Sequence, residues 1–371
     1  MSTQIEQRIQ LDGLTIARGL AAWLVVLFHI RSGMPWLPDA AHTIIDKGYL
    51  AVDFFFLLSG FVIYLSAHKV MQDEGMAAIP AFLRRRFARI YPLHAVILGA
   101  TLLFVLLLTA TGRDTSGYPW WELPLHITLT QNWGFTEHLS WNHPAWSIST
   151  EFAAYLFFPV IILATPITRA PRWLLALGMI ASIALMAAWL YLSGLTILGE
   201  TISKYGLIRC LFEFSAGTML CAFWLQCQDK SEKWPSLVAT AIIALSAALW
   251  ASHAANELWA FPSIAACSIF LIAQASRHYN AATASSPMRA LLYVGEISYA
   301  TYLAHFMLFI WFKIALVEEA TNIPPWQIAF FLVLTLLASV ILYHGIEKPG
   351  RRILGKPGFS FRKSNTLRSA P

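Results

Sequence analysis

An arginine and a histidine eleven residues apart, in an otherwise apolar stretch, are the first residues of this chain that could do chemistry. In LDGLTIARGLAAWLVVLFHI they are Arg18 and His29. At 3.6 residues per turn the interval is about three turns, so one helix face carries both, roughly 16 Å apart along the axis. A guanidinium grips anions, and a neutral imidazole can take a proton from a hydroxyl near neutral pH. The competing reading is an arginine whose head snorkels to lipid headgroups and a histidine satisfied at an interface.

Other polar residues fall in apolar stretches that could face this pair. Asp53, in GYLAVDFFFLLSGF, lies level with His29 if its helix runs the opposite way. There it either fixes the imidazole's tautomer or opposes the dipole of its own first turn. Ser59 and Gly60 read as residues for close helix packing. Glu151, in NHPAWSISTEFAAYLFFP, lies about two turns into a helix, with Tyr155 one turn on along the same face and Trp146 at the interface. It is a second candidate to orient His29, or else half of a structural ion pair. In VGEISYATYLAHFMLFIWFK, Tyr302 and His305 are candidates, with Trp146 and Tyr155, to contact a substrate; packing or hydrogen bonding competes for His305. Arg84, Arg85, Arg86 and Arg89 of RRRFARIYP could hold phosphates by charge-assisted hydrogen bonds. Arg209 and Glu213, spaced i, i+4, can neutralise each other, and Glu347 can neutralise part of the arginine cluster.

The elements that must position these residues are membrane helices. The chain has 371 residues, 57% hydrophobic and 12% charged, with net charge +6. A soluble domain carries about twice that share of charge, so a cytosolic enzyme, a disordered chain and a nucleic-acid-binding domain are excluded. A bilayer core needs about 20 apolar residues per helix. Windows of that length fall at about 13–31, 48–68, 90–110, 145–165, 173–193, 205–226, 236–253, 257–276, 290–315 and 325–346. The fold class is therefore all-α and polytopic, with about ten transmembrane helices. Lys and Arg concentrate in alternate connections, including Lys69 and Arg84 to Arg89, and in the tail after Lys348, whereas the others hold only Arg31, Lys47, Arg113 and Lys204. By the positive-inside rule both termini are cytoplasmic. The polar start MSTQIEQRIQLDG lacks a cleavable-signal pattern. Cys210, Cys221, Cys227 and Cys267 have no metal-site or disulfide spacing, so no metal is expected. Residues 111–144 form the largest outer segment, rich in Trp, His and Asn; aromatic rings there can stack on sugars or form an interfacial belt.

Four segments taken in order, LDGLTIARGLAAWLVVLFH, VDFFFLLSGFVI, RRRFARIYP and PAWSISTEFAAYLFFP, supported by GEISYATYLAHFMLF, resemble the acyltransferase 3 family of integral-membrane acyltransferases. The resemblance covers roughly residues 10–350. It implies one membrane domain over 1–350, a basic cytoplasmic tail over 351–371, and the stand-alone type without a fused periplasmic domain. It further implies an O-acyltransferase of the bacterial cytoplasmic (inner) membrane, taking an acyl group, usually acetyl, from cytoplasmic acyl-CoA to a hydroxyl of a carbohydrate or glycolipid on the outer side. The family's essential arginine and histidine correspond to Arg18 and His29, and its paired arginines to Arg86 and Arg89. On that reading His29 is a general base oriented by Asp53 or Glu151. A transporter or flippase for a glycan or other polar solute, its path lined by buried charges, is the alternative.

Overall fold

The chain is mostly helical over residues 11–227, 232–276 and 285–356, which a computed structural model describes. In order, the helices are α1 (Asp12–Ile30), α2 (Asp39–Ile45), α3 (Ala51–Glu74), α4 (Ile79–Ala110), α5 (Leu123–Thr128), α6 (Ala145–Ala164), α7 (Arg172–Leu192), α8 (Ile202–Gln226), α9 (Trp234–Ala251), α10 (Glu257–Ser276), α11 (Ser286–Glu296), α12 (Ser298–Leu316), α13 (Pro325–Leu342) and α14 (Lys348–Leu354). There is no strand among the described residues. A helix pairs its own backbone groups, as hydrocarbon requires. Nine continuous helical stretches among the described residues are long and apolar enough to cross a membrane. One of these, Asp39–Ala110, holds both α3 and α4, so each apolar window found in the sequence falls on one helix except the window at about 290–315, which takes in parts of α11 and α12. Gly75 separates the two with a φ of +57°, a conformation that glycine adopts without strain.

Side-chain contacts fix the relative directions of the helices. Arg18 meets Ser298 and His29 meets His305, so α1 and α12 run the same way. In α3 and α8, Asp53 meets Arg209, while Gly60 and Gly217 lie against Phe214 and Leu57, so these two are also parallel. A Cβ on Gly217 would lie 1.9 Å from the Leu57 carbonyl oxygen, and one on Gly60 would lie 2.0 Å from that of Phe214. This backbone-to-backbone approach is the small-residue packing that drives helix association in lipid. Gly350 against Pro92 brings the end of the described chain to the part of α4 that carries Arg84 to Arg89, and Arg89 is close enough to act on Arg18, two turns into α1.

The core lies among α1, α3, α6, α8, α10 and α12, where Leu14, Phe61, Phe158, Phe214, Ile269 and Leu303 are buried. Leu245 on α9 and Ile341 on α13 are exposed; in hydrocarbon an exposed leucine or isoleucine loses nothing.

Two boundaries differ from those read in the sequence. The arginines of RRRFARIYP are not in a connection but on α4, which starts at Ile79, with Pro80 in the first turn where a missing N–H costs nothing. The ninth stretch breaks at Ile297: α12 begins at Ser298, and α11 before it is a separate amphipathic helix with Arg289 and Glu296 exposed. Beyond 350, α14 continues to Leu354, and the tail from 357 to 371 lies outside the described residues.

Candidate functional site

Arg18 and His29 turn onto α12, not into lipid. Arg18 Nε donates to Ser298 Oγ at 3.0 Å, and Nη2 donates to the Gly295 carbonyl at 2.8 Å. His29 Nδ1 lies 2.9 Å from the Val25 carbonyl and 3.2 Å from His305 Nε2. Ser298 and His305 are seven residues apart, two turns on one face of α12, or about 10 Å. The wider interval between Arg18 and His29 is bridged by the length of the arginine side chain.

These contacts divide the site into two halves. Toward the basic end, the charges acting on Arg18 are those of Arg89, Glu347, Arg351 and Glu151. Glu347 is buried on a π-helical turn, Tyr343–Glu347, with Arg351 Nη1 3.8 Å from its carboxylate. Glu151 Oε1 accepts from the Ser59 and Tyr155 hydroxyls, each at 2.6 Å. Arg86 donates to Ser66 Oγ at 3.2 Å and, like Arg89, feels the charge of Glu151. Three guanidiniums, those of Arg18, Arg86 and Arg89, thus share one region with two carboxylates. That leaves a positive balance suited to an anion. Arg84 is half-buried, as are Arg86 and Arg89, whereas Arg85 is exposed, so one of the four expected phosphate binders stands apart from the other three.

Toward the other end, rings gather around His29. Phe306 makes an edge contact with the His29 ring at 5.5 Å and stacks on His143 at 4.7 Å. The charges acting on His29 include those of His143 and Arg31. His143 precedes α6, and burial holds its imidazole below the ordinary value. Tyr302 Oη lies 2.7 Å from Ser147 Oγ and donates to the Pro144 carbonyl at 3.2 Å, pinning the start of α6 to α12. Phe55 packs edge-on against Tyr302 at 5.8 Å.

Neither expected orienting carboxylate bonds His29. Asp53 faces α8, where its Oδ1 accepts from Arg209 Nη2 at 2.5 Å and Nε at 3.2 Å. Successive helix residues are 100° apart, so when Phe55 faces α12 the side chain two places earlier points nearly opposite. Glu151 belongs to the arginine half. Arg209 is thereby paired chiefly with Asp53, while Glu213 lies in the same buried group. Trp146 is not open to a ligand: Phe56 meets its ring edge-on at 5.7 Å, and the Arg209 guanidinium lies 5.7 Å over it. Tyr155 and Tyr302 are both buried and already hydrogen-bonded. The sequence reading missed His143, Phe306 and the Gly295 carbonyl. The only signal for the first two was the density of His and aromatic residues in the segments that carry them.

In the segment between α4 and α6, Trp120 and Trp121 are exposed, whereas Trp141 is fully buried against Tyr118 and His126. His126 Nε2 lies 3.1 Å from Ser140 Oγ, which donates to Glu122; the His126 carbonyl accepts from His94 Nε2 at 2.8 Å. Burial, with His94 and His143 nearby, pushes the His126 imidazole down to about 3.

A family profile described as an acyltransferase domain matches residues 11–344, which include every residue described in this site except Glu347 and Arg351. The chain belongs to the acyltransferase 3 family. It is an O-acyltransferase and a multi-pass membrane protein. It is 29% identical to the acyltransferase MdmB of Streptomyces mycarofaciens over 94% of this chain and 93% of that one. It is 25% identical to the O-acetyltransferase OatA of Staphylococcus aureus (strain NCTC 8325 / PS 47), over 95% of this chain but 58% of that protein. A putative O-acetyltransferase of S. aureus strain COL, SACOL0978, is 23% identical over 94% of this chain and 59% of its own length. No solved structure matches the chain.

Proposed function

We propose that this enzyme moves an acyl group, most simply acetyl, from acyl-CoA on the cytoplasmic side of a bacterial inner membrane to a carbohydrate hydroxyl on the outer side. The observation that carries the reading is the common inward turn of Arg18 and His29 onto α12, which puts an anion-binding half and an imidazole half on one line through the bundle. MdmB and OatA come from bacteria, and by the positive-inside rule the end with Arg84 to Arg89 is cytoplasmic.

The CoA phosphates would stay at that mouth on Arg84, Arg85, Arg86 and Arg89, each charge-assisted hydrogen bond contributing about 1.5–3 kcal/mol. The pantetheine arm would pass Arg18 and bring the thioester to His29. His29 would then take the proton of the attacking hydroxyl as the new C–O bond forms and the C–S bond breaks, and return it to the departing thiolate. The aromatic and His-rich segment around His143 supports a sugar as the acceptor, because rings offer faces to its apolar side.

The test is release of CoA thiol from acetyl-CoA by the purified protein in nanodiscs, with methyl glucoside as acceptor. His29→Ala should bind acetyl-CoA with unchanged affinity and release no thiol above background. Undiminished release by this variant refutes the assignment of the base. Absence of release by the unaltered protein, with uptake of solute into vesicles instead, returns the transporter reading.

A further inference from the structure

We infer that His305 is a positioning residue that holds His29 in the tautomer whose Nε2 carries the free lone pair. The inference rests on the reading of His29 as the base and gives that base its orienting partner.

The argument follows the hydrogens. His305 is completely buried on α12. Its Nδ1 lies 2.7 Å from the Tyr302 carbonyl oxygen and 3.2 Å from that of Thr301. Carbonyl oxygens only accept, so Nδ1 bears the hydrogen, and Nε2 of the neutral ring is a lone pair. That lone pair lies 3.2 Å from His29 Nδ1, which is also 2.9 Å from the Val25 carbonyl oxygen. Two acceptors converge on one nitrogen, so His29 Nδ1 carries the hydrogen and shares it between them. The remaining nitrogen, His29 Nε2, is left unprotonated and able to accept. A protonated His305 would reverse the second bond and set His29 Nδ1 lone pair against the Val25 oxygen.

An imidazole suits this position better than a carboxylate. A permanent ion pair at membrane depth is costly, whereas a pair of neutral rings carries charge only while His29 holds the proton. During that interval the Nδ1–H bond to His305 becomes charge-assisted and strengthens. The same selection rule operates when a carboxylate orients a catalytic histidine. Here a hydrogen bond between α1 and α12 performs it. The other charged or titratable groups near His29 are His143, before α6, and Arg31, after α1, and the hydrogen bonds of the ring go instead to Val25 and His305.

Two arms test the inference. In the purified, 15N-histidine-labelled protein in nanodiscs, with the His29 resonances assigned by their loss in His29→Asn, Nδ1 should be protonated and Nε2 bare. A hydrogen on Nε2 overturns the inference without any turnover measurement. In thiol release from acetyl-CoA with methyl glucoside, His305→Leu should lower kcat about 10- to 100-fold with KM for acetyl-CoA unchanged, the range expected for one hydrogen bond to a group that becomes charged. Val25 still accepts, so the loss stops short of abolition. His305→Gln, whose Oε1 can take the place of Nε2, should recover most of kcat. A Gln variant as slow as the Leu variant, or a loss lying in KM, overturns positioning. Failure of the unaltered protein to release thiol sinks instead the acyl-transfer reading, and with it the purpose given to His305.

Discussion

Replacing Asp53 by Ala tests whether this carboxylate belongs to the bundle's internal ion pair and not to the base. Asp53 is 0% exposed and Arg209 1%. Their contact is two-pronged, at 2.5 and 3.2 Å to one carboxylate oxygen. Removing one partner of such a pair leaves a guanidinium in a medium that cannot solvate it, at a cost of about 3–5 kcal/mol. Glu213, one turn along α8, buried and hydrogen-bonded to Asp53, is the carboxyl left to neutralise Arg209. The cost for Asp53→Ala should therefore fall near the lower limit, about 3 kcal/mol, or roughly a hundredfold in the folding constant. Asp53→Ala combined with Glu213→Gln should approach the upper limit. Asp53→Ala combined with Arg209→Leu should recover most of the loss, because the stranded charge is gone. Unfolding by SDS titration in mixed micelles, with thiol release measured on the same samples, reads all four proteins. A loss below about 1 kcal/mol, or an Asp53→Ala/Arg209→Leu protein no more stable than Asp53→Ala, refutes the ion-pair reasoning. A stable but inactive Asp53→Ala would return the carboxylate to His29.

Two further outcomes follow from packing and from pH. Gly217→Ala places a methyl group 1.9 Å from the Leu57 carbonyl oxygen. It should separate α3 from α8 at a cost of about 1–3 kcal/mol, read in the same titration. Gly99→Ala, with nothing within 4 Å of its Cβ, should instead stabilise α4 by about 0.5–1 kcal/mol; equal effects at the two glycines would contradict the close approach. His126, outside the membrane helices, stays neutral in the fold until about 3 but protonates from 6.5 in the unfolded chain. Between those values the unfolded state binds more protons, so stability falls as pH falls, by about 2 kcal/mol from pH 7 to pH 5. His126→Gln, which still offers an N–H to Ser140, should remove most of that slope, and an unchanged slope would place its origin in another histidine.

The helices were legible because lipid demands long apolar runs, and the common face of Arg18 and His29 followed from helical period alone. The arginines after α3 were equally visible, as a run of charge that no bilayer core tolerates. Asp53 does lie in the first turn of its helix, where a carboxylate opposes the dipole. What failed was rotation. Asp53 was matched to His29 by depth, but it faces Arg209 on α8. Trp146 was read as an interfacial residue and a candidate to contact substrate, yet it is covered by Phe56 and Arg209. His305 was grouped with possible substrate contacts, yet its ring is bonded to His29, 276 residues away in the chain.

From its own sequence, then, the chain determines which segments enter the membrane, which residues share a helix face and where cations collect, because these depend on composition and on a period of 3.6. Only the tertiary structure decides which polar group meets which. A helix in lipid can turn about its axis at little cost until close contacts, such as Gly60 and Gly217 between α3 and α8, and hydrogen bonds between distant segments lock one rotation. That locking turns Asp53 toward Arg209 and gives His29 an imidazole, not a carboxylate, as its neighbour.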